Sequence, residues 1–269
     1  MLAPGRPRAR RPWLPIVGAA LAVAVVCVVA AWRPWAVPSM PAAAPDAASV
    51  VTVSPAPLAL PENAHVLIFG DSWVYGSAAI VPTEGFAYRL GASEGWDTVV
   101  SGVRGSGYLK PGQDGGSYVE RIAALDAALD PDLVILEGSI NDRRLPAKGY
   151  RDAVTAAWDA LAATYPDAAV VIVGPAPQVL PVEPATARID ADLRDLAALR
   201  GWWYVSPLAD DWITTANYLE VIDTGLGRNH PSTAGHAYLA ERMAEALDAL
   251  AETTAIVADA PHEEELVGP

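Results

Sequence analysis

Cysteine is almost missing from this 269-residue chain. The single thiol, Cys27, lies in an apolar N-terminal run, so no intramolecular disulfide can form and thiol usage is silent on the redox compartment. The four histidines, His65, His230, His236 and His262, are separated and have no cysteine near them, which leaves no metal-ligand cluster to propose. Positive charge is short as well: 18 Lys and Arg stand against 32 Asp and Glu, a net −14. A body this acidic lacks the basic face a nucleic-acid partner would need. No internal repeat is present.

Long apolar runs are equally rare, with one exception. Residues 13–32 carry no charge, come after Arg6, Arg8, Arg10 and Arg11, and are closed by Arg33. Twenty residues at the helical rise span about 30 Å, the thickness of a bilayer core. The run is expected to be one N-terminal transmembrane helix, an uncleaved signal-anchor in preference to a signal peptide. The basic residues 1–12 then stay cytoplasmic and the rest lies outside the cytoplasm, secreted if the segment is cleaved near Ala30 and Ala31. Lipid modification of Cys27 is disfavoured because bulky Val26 precedes it.

The remainder of the chain divides by composition. Residues 33–62 are rich in Pro and Ala, which forbids a long helix and favours a semi-rigid spacer. Residues 63–252 alternate apolar strand-like runs with amphipathic segments and suffice for one catalytic domain. Residues 253–269 contain Glu263, Glu264 and Glu265 with little to pack, and read as a disordered acidic tail.

Within the domain, strands are expected at 66–69, 97–101, 133–136, 169–173 and 202–205. Helices are expected at 84–92, from the Ser117/Glu120 capping box to Pro131, around Tyr150 to Leu161, at 187–199, and from Ser232 or Thr233 onward. That alternation predicts an α/β fold with a parallel sheet and helices on both faces. Each early strand stops at a polar turn. The first ends at Gly70-Asp71-Ser72, the second at a glycine-rich stretch from Gly102 to Gly116, and the third at Glu137-Gly138-Ser139-Ile140-Asn141-Asp142. His230 precedes the last helix. These turns share the carboxyl edge of the sheet, where open α/β folds collect their chemistry.

Ser72 is the candidate nucleophile, which requires a base within reach and donors for an oxyanion. His230 can serve as base and then acid. Asn141 offers a side-chain amide and Gly105 a backbone N–H. Each alone also fits an ordinary turn or cap; their order together argues for a site.

In that order the sequence resembles the SGNH (GDSL-type) hydrolase family. The blocks are Gly70-Asp71-Ser72, Gly102-Val103-Arg104-Gly105, Asn141-Asp142 and His230-Pro231, across residues 64–252. The resemblance implies a three-layer, flavodoxin-like α/β/α fold with about five parallel strands and acyl transfer to water through an acyl-enzyme, without metal or cofactor. Ser72 would be nucleophile, His230 base, and Ser72 N–H, Gly105 N–H and Asn141 the oxyanion hole.

Two departures stand out. Ser139 occupies a usual glycine position, and Gly227 lies where the triad acid normally stands, three residues before the histidine. Asp223 is the expected substitute, with Asp210 and Asp211 more remote and a backbone carbonyl as the dyad alternative. Arg104, Arg143 and Arg144 read either as contacts to an anionic or sugar-like substrate or as surface ion pairs. Trp73 reads as an acyl-pocket wall, Trp202 and Trp203 as strand packing, and His236 as structural. The expected activity is an exported or anchored esterase on a carbohydrate, lipid or cell-envelope ester. An acyltransferase to a sugar or lipid hydroxyl and a noncatalytic glycan-binding module are the alternatives; oligomeric state is left open.

Overall fold

Five short apolar strands organise the chain: β1 (His65–Gly70), β2 (Asp97–Gly102), β3 (Leu133–Glu137), β4 (Ala169–Val173) and β5 (Trp203–Val205). They pair in parallel in the order β2-β1-β3-β4-β5. The structure, a computed structural model, describes residues 55–252. The transmembrane helix expected over 13–32, most of the spacer and the acidic tail lie outside the described residues. Among the described residues no helix is long and apolar enough to cross a membrane.

Side chains alternate across each strand, so one sheet feeds two cores. Val66, Ile68, Leu133, Ile135, Val171 and Val173 face one side, against α2 (Phe86–Glu94) and α7 (Thr233–Glu252). Leu67, Phe69, Val134, Leu136, Val170 and Ile172 face the other, against α3 (Tyr118–Ala123), α4 (Tyr150–Thr164) and α5 (Pro184–Arg200). Both predicted helical layers are therefore present.

Three expectations need correction. The helix predicted from the Ser117 capping box to Pro131 stops at Ala123, and Ala127–Leu129 forms a separate 3-10 turn. Asp126 causes the break, because its carboxylate accepts the Ala128 N–H and competes with helical pairing. The spacer predicted to run to residue 62 ends earlier. Leu58 is buried and donates its N–H to Leu250 O at 3.0 Å, while Trp203 Nε1 donates to Ala56 O at 3.1 Å. Finally, the C-terminal part adds small elements that the pattern did not disclose: α6 (Tyr218–Val221) and an antiparallel pair of β6 (Ile222–Asp223) with β7 (His230–Pro231).

In this strand order the chain leaves β1 toward one face and β3 toward the other, opening a crevice between their carboxyl ends. Ser72 comes after β1 and Asn141 after β3.

Candidate active site

The serine comes directly from the end of β1. Gly70 permits the sharp exit: a Cβ there would lie 2.6 Å from Val74 Cγ2 and 2.7 Å from Glu137 Oε2. Asp71 caps the short helix α1 (Ser72–Tyr75), its Oδ1 accepting the Trp73 N–H at 2.9 Å. Ser72, first in that helix, is only 4% exposed, and its Oγ lies 2.8 Å from His230 Nε2.

His230 arrives on β7, and its other nitrogen, Nδ1, lies 2.8 Å from Gly227 O. A carbonyl only accepts, so Nδ1 carries the proton and Nε2 presents its lone pair to the Ser72 hydroxyl. That is the tautomer a base needs. Asp223, expected as the triad acid, does not hold the ring. It pairs with His230 across the β6–β7 backbone, but its Oδ1 accepts the Gly225 N–H at 2.8 Å, an Asx turn that captures the carboxylate locally. Asp210 and Asp211 are exposed in the turn after β5 and bond no histidine among the described residues. In the structure a backbone carbonyl, and not a carboxylate, holds the His230 ring.

Donors converge on the same place. Among the described residues, the N–H groups of Ser72 and Gly105 donate to no protein acceptor. Gly105 has φ 76°, a left-handed conformation that suits glycine. Asn141 Nδ2 donates to Asp71 Oδ2 at 2.8 Å and to Ser106 O at 3.0 Å, so a developing oxyanion must take one of these hydrogens from its present acceptor. Ser72, Gly105, Asn141 and His230 all line one open cleft of about 840 Å³.

The model of the GDSL-like lipase/acylhydrolase family matches residues 68–238. The chain belongs to that family. It is similar to the GDSL lipase Rv0518 of Mycobacterium tuberculosis, 27% identical over 192 residues, 66% of this chain and 79% of that protein. Solved structures share its fold. A lipolytic protein of the G-D-S-L family from Desulfitobacterium hafniense superposes with TM-score 0.54 at 19% identity, covering 67% of this chain and 97% of that one. A two-domain esterase active on acetylated mannans gives 0.54 at 19%, covering 73% and 52%. A salicylyl-acyltransferase from a tetracycline biosynthetic pathway gives 0.55 at 17%, covering 72% and 56%. As a GDSL-family protein the chain is an ester-hydrolysing enzyme.

This GDSL enzyme supports its cleft with buried polar groups that pattern reading missed. Burial raises the Asp71 carboxyl to about 6, against the opposing pull of the Trp73 N–H and the Arg121 guanidinium. Glu137, also buried beside Asp71, is pushed well above its ordinary value by burial and by the neighbouring Asp71 carboxylate. Arg121 reaches under the glycine loop and donates to Gly70 O, Ser106 Oγ and Ser101 O at 2.7–2.8 Å, its guanidinium 4.1 Å over the Phe69 ring. Nothing local in the sequence marks it.

Asp142 ties the second block to the third. Its carboxylate accepts the N–H groups of Tyr108 (2.7 Å) and Lys110 (3.0 Å) and the Ser139 hydroxyl (2.7 Å). Burial raises its pKa and these bonds oppose the rise. Ser139 thus takes a supporting part where a glycine was expected. Its adjacency to Asn141 was the only sequence signal for Asp142.

The remaining candidates divide. Trp73 is turned into the core with Phe86 and Trp212 and does not line the cleft, because the first turn of α1 rotates it away from Ser72; the acyl-pocket expectation is corrected. Arg104 pairs with Asp114 at 2.9 Å and Arg143 with Glu183 at 2.6 Å, whereas Arg144 has no acidic partner among the described residues. His236 is buried, accepts the Phe86 N–H on Nδ1 and donates from Nε2 to Ser77 O; burial lowers its pKa to about 4. Trp202 packs on Trp158 with ring centroids 5.3 Å apart.

Proposed function

We propose that the domain hydrolyses an acyl ester through a covalent acyl-enzyme on Ser72, with His230 as general base and acid. His230 Nε2 takes the Ser72 proton as Oγ bonds to the ester carbonyl carbon. The oxyanion is met by the Ser72 and Gly105 N–H groups and the Asn141 amide. Collapse breaks the ester C–O bond, and imidazolium returns the proton to the departing alcohol. Water repeats the sequence on the acyl-serine, releasing the carboxylic acid and restoring Ser72. The observation that carries this reading is the Ser72 Oγ to His230 Nε2 approach of 2.8 Å, with Nδ1 anchored on Gly227 O.

The orienting group does not need to be a carboxylate. Its task is to fix the tautomer and steady the imidazolium, and a carbonyl oxygen performs the first fully and the second through its dipole. We further propose that the enzyme is exported or held on a membrane by the charge-free run at 13–32, and that its ester belongs to a carbohydrate, lipid or envelope component. The mannan-active esterase that shares the fold supports an acylated carbohydrate.

The test is hydrolysis of p-nitrophenyl acetate and longer-chain analogues by the full-length protein. Ser72→Ala and His230→Ala should each lower kcat by at least about 10³-fold. Full rate in Ser72→Ala would remove serine catalysis. A new ester formed with added sugar or lipid hydroxyls would identify transfer, and glycan binding without turnover, unchanged in Ser72→Ala, would identify a binding module. Retention in the membrane fraction after an alkaline wash checks anchoring.

A further inference from the structure

Charge is distributed unevenly over this acidic chain. On the outer surface arginines are matched with carboxylates: Arg151 with Asp192, Arg188 with Asp192, Arg194 with Asp190, Arg200 with Asp159 and Arg242 with Glu245. The cleft that holds Ser72 is different. Among the described residues it is lined by Arg104, Lys110, Arg143, Arg144 and Arg228, and by no aspartate or glutamate. Arg104 and Arg143 are neutralised from outside by Asp114 and Glu183. The side chains of Lys110, Arg144 and Arg228 make no ion pair or hydrogen bond with any described residue and are exposed.

They line the same cleft as Ser72 from three separate segments. Lys110 lies just beyond the oxyanion loop, its Nζ 3.8 Å from where a Cβ on Gly105 would lie, with its backbone N–H held by Asp142. Arg144 ends the turn that carries Asn141. Arg228 is two residues from His230, in a turn where it has φ 51°. Three elements thus each bring one unpaired cation to the lining of the same cleft. In a chain of net −14 these would otherwise be the first cations to find acidic partners.

From this we infer that the ester this enzyme takes carries an anionic group, a phosphate or carboxylate, seated among Lys110, Arg144 and Arg228 beside the scissile bond. The inference rests on the esterase reading and names the substrate class for that same site. Clefts lined by one sign of charge concentrate ligands of the other, and cations beside the serine hold such an ester in reacting register. The anion's source is a soluble acylated sugar or glycerol phosphate, or a lipid headgroup, and the same cations serve both.

The experiment compares full-length protein on two soluble esters with the same acyl group, glycerol monoacetate and acetyl-glycerol 3-phosphate. The ratio of kcat/KM, phosphate ester over neutral ester, should exceed one and fall with added salt. Lys110→Gln, Arg144→Gln and Arg228→Gln should each lower that ratio about 3- to 10-fold, and more in combination. Lys148→Gln, an exposed lysine outside the cleft lining, should not move it. Vesicles of phosphatidylglycerol against phosphatidylcholine give the lipid arm, and preference confined to vesicles assigns the anion to a headgroup.

Binding of glycerol 3-phosphate to the Ser72→Ala protein, measured by calorimetry, separates this inference from the esterase reading. Binding that disappears in the added triple Gln variant supports the anion site even where no ester is turned over. No preference for the anionic ester in either the soluble or the vesicle arm, or a triple variant that leaves the preference and the binding unchanged, overturns it.

Discussion

The two halves of the proposed catalytic pair are held in opposite ways. Ser72 emerges from a central strand into a buried setting: Asp71 is 0% and Ser72 4% exposed, and Asp71, Glu137, Arg121 and Asn141 interlock behind it. His230 hangs on a two-residue strand after an open turn whose Leu226 is 99% exposed, steadied by the Gly227 carbonyl. The serine side is rigid because moving it would break a buried polar network and two cores. The histidine side is accurate because a short loop sets one backbone oxygen 2.8 Å from Nδ1. A buried network and a local backbone contact thus reach comparable precision, but they should fail differently.

The sharpest way to weaken the serine side is Asn141→Ala. It removes the proposed oxyanion donor and leaves Asp71 Oδ2 and Ser106 O without this partner. A fall in kcat of about 10²- to 10³-fold is expected, with KM little changed. The histidine side is attacked by Gly227→Ala, because the new Cβ would lie 2.6 Å from Asp223 Cβ and 2.8 Å from Ala78 Cβ. The turn must shift, taking the Gly227 carbonyl off Nδ1, and kcat should drop by about 10²-fold with a small change in melting temperature.

Asp223→Ala sharpens the contrast. A dyad held by a carbonyl predicts a loss below about 10-fold, from loosening of the turn alone, whereas an orienting acid would cost about 10⁴-fold. A loss as large as that of His230→Ala would erase the distinction between the two sides.

The smallest effect is on stability. His236 links the closing helix to the serine side through Phe86 N–H and Ser77 O. Burial lowers its pKa from 6.5 to about 4 in the fold, so its contribution is complete above pH 6.5 and is lost as pH falls toward 4, about 3 kcal/mol in all. Asp71 has the opposite sign: raised to about 6, its contribution is present below about 4 and is lost as pH rises through 6. The two partly cancel in the wild-type melting curve. The gap in melting temperature between wild type and His236→Gln isolates the histidine, and it should narrow as pH is lowered from 7 to about 4.5.

Much of the molecule was readable in one dimension. Runs such as residues 133–136 are apolar on both alternating sets of positions, and at four or five residues between turn signals that pattern fits a strand covered on both faces, so the sheet and its two helical layers could be inferred. Ser72, Gly105, Asn141 and His230 were legible because each sits at a turn tied to the end or start of a regular element. Arg121 was not legible. Its partners are Gly70, Ser101 and Ser106, distant in sequence, and an arginine in the last turn of a helix carries no mark of what it will reach. Trp73 misled for a related reason: adjacency to Ser72 in sequence becomes opposition in space once α1 rotates successive side chains by about 100°.

By itself, the sequence determined the order of strands and helices, the carboxyl-edge placement of the reactive turns and the family of the chain, since these depend on periodicity and short local motifs. The tertiary structure alone decided what orients His230, which carboxyls are buried together, and which cations face the cleft without a partner. Those depend on distances between segments far apart along the chain. Asp223 shows the physical reason: a carboxylate takes the nearest free N–H, and only the folded turn determines that the nearest one belongs to Gly225.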